Sequence, residues 1–202
     1  MKHDRRIAFE LAKFLARHDS QIANVIDVYG TDGCINRNMI ILHFLAEKSD
    51  ATHLLFVDAD TVPSKNAIDL LLGMNVDIAC GIVPVYKATK TFWNVMPVDE
   101  SVAEGFMPKD SLTLSSKPLL VRKAGPACML IKRNVLEKLS FPYFRNDCEK
   151  IGSVTNFLMR LPYTAGDFYF CEQIMKAGFE IWAQPKVRCG HYSTLNTLHI
   201  NS

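Results

Sequence analysis

Two hydrophobic periodicities alternate along the first part of the chain. Apolar residues recur at helical spacing over residues 4–18 and again over residues 35–48, where Ile35, Met39, Leu42 and Leu45 share one stripe. Continuous apolar runs at His53–Val57 and at residues 77–83 are typical of strands buried on both faces of a parallel sheet. Residues 24–29 predict a further short strand. This alternation predicts an α/β fold with crossover connections.

The second half of the chain has a less regular pattern. Strands are predicted at residues 119–124 and 127–132, on either side of a Gly125-Pro126 turn. A helix is predicted over residues 167–177, and Gly178 is a suitable residue to end it. Two short strands are expected at residues 180–184 and 187–190.

Composition and charge narrow the class of protein. The chain has 202 residues, of which 49% are hydrophobic and 22% charged, values typical of one globular domain spanning residues 1–202. The net charge of +2, without any basic block, argues against a nucleic-acid partner. Six cysteines without a C-x-x-C pair, no secretory leader and no membrane-spanning apolar stretch predict a soluble cytoplasmic protein.

Two carboxylates, Asp58 and Asp60, follow the apolar run at His53–Val57. Ligands of open α/β sheets bind at the carboxyl ends of the strands. Two carboxylates on one turn can converge on Mg²⁺ or Mn²⁺, which also binds substrate phosphates. Since aspartate is also a common turn residue, the pair alone does not decide between a metal site and a plain turn.

A second enzyme class uses a similar pattern. Asp58, Asp60 and Thr61 resemble the DxDxT signature of haloacid-dehalogenase-like phosphatases, in which the first aspartate is the nucleophile, although Thr61 stands one residue closer to Asp60 than the signature places its threonine. The last motif of that family is matched only by Gly166-Asp167, because Cys171 stands where its second aspartate belongs. In that family the first motif also lies on the first strand, whereas here other elements precede it. This phosphatase is the alternative interpretation.

Four segments, in order, resemble the family-two-like GT-A glycosyltransferases more closely. They are Ile35-Asn36-Arg37-Asn38, the run from Thr52 to Asp60 (THLLFVDAD), the run from Gly125 to Arg133 (GPACMLIKR), and Gly166-Asp167 through Gly190-His191-Tyr192. The resemblance therefore covers residues 35–192. It implies a single-domain GT-A (Rossmann-like) fold, with a mixed α/β sheet flanked by helices.

The resemblance also implies an activity and a metal. It predicts a metal-dependent hexosyltransferase that moves a sugar from a nucleoside diphosphate sugar to an unknown acceptor. Asp60 would ligate Mn²⁺ or Mg²⁺, and Asp58 would reach the ribose or the metal through water. His191 would be the third protein ligand or would contact the diphosphate.

Three further residues receive roles from the same resemblance. Asp167 would act as the general base for the acceptor in an inverting reaction. Arg37 would contact the nucleotide or its phosphates. Gly125 would lie on the segment that lines the donor site.

The chain departs from the family pattern at two places. Gly166 stands where a glutamate usually precedes the aspartate, and the first nucleotide-binding strand is expected to be missing before the helix at residues 4–18. A degenerate GT-A domain that binds a nucleotide or a partner without turnover is therefore a further hypothesis. A second copy of the chain could complete the sheet, so a homo-oligomer is also expected.

Overall fold

The computed structural model describes residues 5–28, 32–47, 50–87, 90–101, 105–112, 117–148, 163–164, 166–193 and 197–198. The helices in these ranges are α1 (Arg5–Arg17), α2 (Gly33–Ala46), α3 (Ala67–Leu72), α4 (Arg133–Lys138) and α5 (Gly166–Lys176), with 3₁₀ turns at Asp19–Gln21 and Lys109–Leu112. None of the helices within these ranges is long and apolar enough to span a membrane.

The strands are short and numerous. They are β1 (His53–Val57), β2 (Thr61–Val62), β3 (Ile78–Ile82), β4 (Pro84–Lys87), β5 (Lys90–Trp93), β6 (Val95–Pro97), β7 (Leu119–Ala124), β8 (Cys128–Lys132), β9 (Asp147–Cys148), β10 (Tyr163–Thr164), β11 (Ile181–Arg188), β12 (Gly190–Ser193) and β13 (Thr197–Leu198).

A six-stranded mixed sheet with the order β1-β8-β3-β11-β7-β6 forms the centre of the fold. Strand β8 runs antiparallel to both β1 and β3, and β11 runs parallel to β3. The strands β1 and β3 thus point in the same direction without being neighbours. The predicted mixed α/β sheet flanked by helices is confirmed.

Helices pack on both faces of this sheet. On one face, α2 buries Ile41 and Phe44 in a cluster that includes Phe144 and Phe170, whose rings stack with their centroids 4.3 Å apart. On the other face, Phe14 of α1 packs with the buried residues of α3. The helices on both faces therefore exclude water from the sheet, including β1, the strand whose end carries the acidic motif.

Part of the local prediction was wrong. Residues 24–28 form no strand, and residue 29 lies outside the described ranges. Ile26 packs against the core, but Val25 is 57% exposed and is not held in a ladder. A strand needs a paired neighbour, and within the described part of the chain β1 pairs only with β8 at this end of the sheet.

The predicted face of α2 was wrong for most of its residues. Leu45 packs against the core, but Ile35, Met39 and Leu42 are 52%, 43% and 45% exposed. The buried residues of the helix are Ile41 and Phe44. Because α2 is apolar on more than one side, its periodicity did not determine which side meets the sheet.

The two strands predicted between residues 180 and 190 are one continuous strand, β11, with a register shift between Gln184 and Arg188 that accommodates Pro185.

The close approach of β3 and β11 predicts an effect on stability. A Cβ atom at Gly81 would lie 2.7 Å from Cγ1 and 3.0 Å from the carbonyl oxygen of Val187. Gly81→Ala should therefore lower the free energy of unfolding by about 1–3 kcal/mol, measured by chemical denaturation. The control is Gly105→Ala, where a Cβ meets no atom within 4 Å. Equal stability of Gly81→Ala and the wild type would contradict this account.

Candidate active site

The acidic motif forms a turn at the end of β1. The amide of Asp58 donates to the carbonyl of Ala127 (3.1 Å), and the amide of Thr61 donates to the carbonyl of Asp58 (2.9 Å). Strand β2 then pairs with β12, which sets Thr61 opposite His191. The amide of Tyr192 donates to the carbonyl of Asp60 (2.8 Å). Backbone pairing thus brings Asp60 beside His191.

The side chains of Asp60 and His191 are in contact. Nε2 of His191 lies 3.5 Å from Oδ2 of Asp60, and Nδ1 lies 2.7 Å from the carbonyl oxygen of Pro84. A carbonyl only accepts, so Nδ1 carries a proton and Nε2 is the ring nitrogen that faces the carboxylate. The hydrogen bond to Asp60 raises the pKa of His191, and the same contact lowers the pKa of Asp60.

The guanidinium of Arg37 joins the other two carboxylates. Its Nη2 lies 2.9 Å from both Oδ1 and Oδ2 of Asp58, and its Nη1 lies 2.9 Å from Oδ1 of Asp167. The Arg37 side chain is 17% exposed. Burial raises the pKa of Asp167, and the neighbouring Arg37 charge opposes that rise. The charge of Arg37 is thus matched within the protein itself.

Two contacts of α2 place Arg37. Asp32 precedes the helix, and its side chain accepts from the amide of Cys34 (2.8 Å). Asn38 accepts from the amides of Tyr143 and Phe144 (2.9 and 3.1 Å) and donates to the Phe144 carbonyl (2.7 Å). Asn38 stands within the motif at residues 35–38 but had no predicted role, since its partners lie more than 100 residues further along the chain.

Gly166 allows α5 to approach α2. A Cβ atom at this position would lie 2.1 Å from Sγ of Cys34 and 3.2 Å from Oδ1 of Asn146. That same Asn146 oxygen accepts from the Gly166 amide (2.9 Å) and from the Cys34 thiol (3.2 Å). A side chain at position 166, including the glutamate that the resemblance leads one to expect there, would therefore clash with Cys34.

Gly125 lies close to the acidic turn, two residues before Ala127. The Gly125 amide donates to the Asn94 carbonyl, and the Gly125 carbonyl accepts from Nδ2 of Asn94, both at 3.0 Å. Asn94 is 5% exposed and also accepts from the amide of Val83 (2.8 Å). Asn94 was not predicted from the sequence. Its side-chain amide links its own segment to Val83 and Gly125. A nucleotide contact by Gly125 stays a prediction.

The candidate metal-ligand atoms of this site fit a hard cation in part. Asp60 and His191 supply a carboxylate oxygen and an imidazole nitrogen, both ligand types that Mn²⁺ takes. The oxygens of Asp58 are engaged by Arg37. Among the residues described, no three His, Cys, Asp or Glu side chains are grouped so as to hold a metal ion. The structure therefore contains an Asp60–His191 pair, with Asp58 on the same turn but partnered elsewhere.

Comparison with solved structures finds similar folds. Protein A197 from STIV matches with a TM-score of 0.58 and 21% sequence identity, over 91% of this chain and 78% of that chain. GalNAc-T7, solved with UDP, GalNAc and Mn²⁺, matches with a TM-score of 0.53 and 12% identity. That match covers 98% of this chain and 37% of GalNAc-T7. No family model and no curated protein sequence matches the chain.

These comparisons show the fold. The chain has a GT-A-like α/β fold, with its acidic motif at the end of an edge strand of the mixed sheet. GalNAc-T7 is a glycosyltransferase that shares this fold at low sequence identity.

The contact between Asp60 and His191 can be tested by titration. Asp60→Asn should lower the pKa of the His191 ring, because the carboxylate is the largest cause of its elevation. Ring resonances followed by NMR from about pH 4 to about pH 9 would measure the change. His53, whose pKa burial lowers, should titrate unchanged in the variant. An unaltered His191 titration would show that the two side chains do not interact in solution.

The steric account of Gly166 predicts a rescue. Gly166→Ala should lower the free energy of unfolding by roughly 1–3 kcal/mol, since the added Cβ meets the Cys34 thiol. Cys34→Ala removes that sulfur, so much of the loss should return in the double variant. Thermal or denaturant unfolding of the two single variants and the double variant measures the coupling. Strictly additive effects would exclude the Cys34–Gly166 contact as the cause.

Proposed function

We propose that this protein is a metal-dependent glycosyltransferase that moves a sugar from a nucleoside diphosphate sugar to the hydroxyl of an acceptor. The observation that carries the proposal is the position of the acidic turn. It stands between His191 on one side and the partly buried Arg37–Asp167 pair on the other. The turn lies at the carboxyl end of β1. Ligands of α/β domains bind outside the carboxyl ends of the strands.

Asp60 and His191 are the residues proposed to hold Mn²⁺ or Mg²⁺, with Asp58 as the third protein ligand. His191 is oriented for this role by the Pro84 carbonyl, which directs Nε2 toward Asp60. The cation, when bound, neutralises the charge that develops on the leaving diphosphate. The fold neighbour GalNAc-T7 was solved with UDP and Mn²⁺, which supports this ligand chemistry for the proposal.

Asp167 is the proposed general base. It would accept the proton of the acceptor hydroxyl while that oxygen bonds to the anomeric carbon and the bond from that carbon to the diphosphate oxygen breaks. The sugar would then arrive with inverted configuration. Burial raises the pKa of Asp167, which makes its carboxylate a stronger base than an exposed aspartate.

Fewer contacts support the proposed binding of the nucleotide-sugar donor. Arg37 and Gly125 are proposed to lie near the nucleotide. UDP is the first nucleotide to test because the neighbour GalNAc-T7 was solved with it. GDP is its necessary comparison, since a fold shared at 12% identity does not carry base specificity.

The phosphatase alternative is less well supported by the geometry. It requires Asp58 as a nucleophile, but Nη2 of Arg37 contacts both carboxylate oxygens of that residue. A carboxylate paired in this way is a poorer nucleophile, because its negative charge is already stabilised. It would still be recognised by a beryllofluoride adduct on Asp58.

The proposal is tested by donor turnover with Mn²⁺, in which water stands in for the acceptor. Asp60→Asn should lower turnover about a hundredfold or more through loss of a metal ligand. Asp167→Asn should lower kcat by roughly a hundredfold to ten thousandfold while nucleotide binding is retained. The matched control is Asp77→Asn, whose carboxylate pairs with Lys132 instead of with the site residues.

The possible outcomes separate the hypotheses. Equal turnover in the wild type and Asp60→Asn, or no binding of UDP or GDP by calorimetry, would reject a glycosyltransferase. Nucleotide binding without turnover would identify a non-catalytic GT-A domain.

A further inference from the structure

Arg37 contacts two carboxylates to which the proposed function gives different tasks. One guanidinium nitrogen meets Asp167, the proposed base, and the other meets both oxygens of Asp58, the proposed third ligand of the metal. The exposed side-chain fractions are 17% for Arg37, 37% for Asp58 and 31% for Asp167. The three groups therefore interact where water screens them only in part.

The contact with Asp58 and the binding of a cation are competing interactions. A metal ion that took Asp58 as a ligand would use the same carboxylate oxygens that Nη2 of Arg37 contacts at 2.9 Å. It would also bring positive charge close to a fixed guanidinium. Of the three proposed ligands, the present arrangement thus leaves Asp60 and His191 as a ready pair.

Asp58 and Arg37, which form this contact, are held in place by different additional interactions. The turn that carries Asp58 is held by backbone hydrogen bonds to Ala127 and Thr61, which do not involve the carboxylate. The Asp58 side chain can therefore rotate away from Arg37 without disturbing the turn. Arg37 itself lies over the Phe144 ring, with 5.7 Å between Cζ and the ring centroid, and retains its separate contact with Asp167.

We propose that Arg37 is a positioning residue that exchanges one of its two partners. Its Nη2 holds Asp58, and when a divalent cation binds, Asp58 turns to the metal while Arg37 keeps Asp167 in place. The positive charge of Arg37 thus lowers the affinity of the site for the cation. This inference rests on the proposed function, since it assumes a metal site at Asp58, Asp60 and His191.

The first test measures Mn²⁺ binding alone, by calorimetry or by the electron paramagnetic resonance of free Mn²⁺. In Arg37→Met the new side chain has a similar length but no charge. This variant should bind Mn²⁺ about tenfold more tightly than the wild type, because the guanidinium that competes with Mn²⁺ for Asp58 is gone. Arg37→Lys keeps the charge and should remain within about threefold of the wild type. Lys132→Met is the matched control.

Lys132 suits this purpose because of its position. It pairs with Asp77 at 3.1 Å and lies opposite His53, at the end of β1 away from the acidic turn. Its replacement changes the net charge by the same amount as Arg37→Met. Equal tightening in both variants would mean that the net charge, and not the Asp58 contact, controls metal affinity, and would overturn the inference.

A second measurement covers the case in which Arg37→Met does not fold after two partly buried carboxylates lose their partner. In the wild type, the guanidinium NMR signals of Arg37 should shift when diamagnetic Mg²⁺ is added. They should not shift in Asp58→Asn, which has no carboxylate to exchange. Signals that ignore Mg²⁺ in the wild type, although calorimetry shows binding, would overturn the inference.

The outcomes distinguish this inference from the function on which it rests. If no variant binds Mn²⁺ or Mg²⁺, the metal site fails and the inference fails with it. If the wild type binds Mn²⁺ and a folded Arg37→Met binds it equally or more weakly, the metal site stands and only the role of Arg37 is rejected. Tighter binding by Arg37→Met alone supports the exchange of partners.

Discussion

The ion pairs of Arg37 connect three distant parts of the chain. Arg37 belongs to α2, Asp58 follows β1, and Asp167 lies in the first turn of α5, so these charges meet only in the folded protein. Removing one partner from a buried ion pair typically costs about 3–5 kcal/mol, whereas an exposed pair contributes little. The position of α2 on the sheet is therefore tied to the charge balance of the candidate site.

Close packing allows these ion pairs to form. Glycine at position 166 lets α5 approach the thiol of Cys34, and the side chain of Asn146 satisfies donors from both residues. Asn38 holds the backbone of the segment before Asn146 against α2. Substitution of one of these small or amide residues would change the distance between the helices, and the length of the Arg37 ion pairs would change with it.

The place of Asp58 and Asp60 at the end of a strand could be predicted from the sequence, but the partners of these side chains could not. A run of apolar residues that ends in Asp58 and Asp60 indicates a strand and its carboxyl end, because that signal is local. The pairing of Arg37 depends on how α2 is rotated. Since α2 is apolar on several sides, tertiary contacts decided which side is buried, and three of the four residues of the predicted stripe are exposed.

The two halves of the site are held by different forces. Asp60 and His191 are neighbours because β2 and β12 pair through the backbone, so their proximity does not depend on charge. Asp58 and Asp167 are held together by the guanidinium that lies between them. The backbone that carries Asp60 and His191 therefore keeps its place whatever the local charge, whereas an arriving cation would compete with Arg37 for the carboxylate of Asp58. The proposed exchange of partners thus involves a side chain and leaves the backbone pairing of the site unchanged.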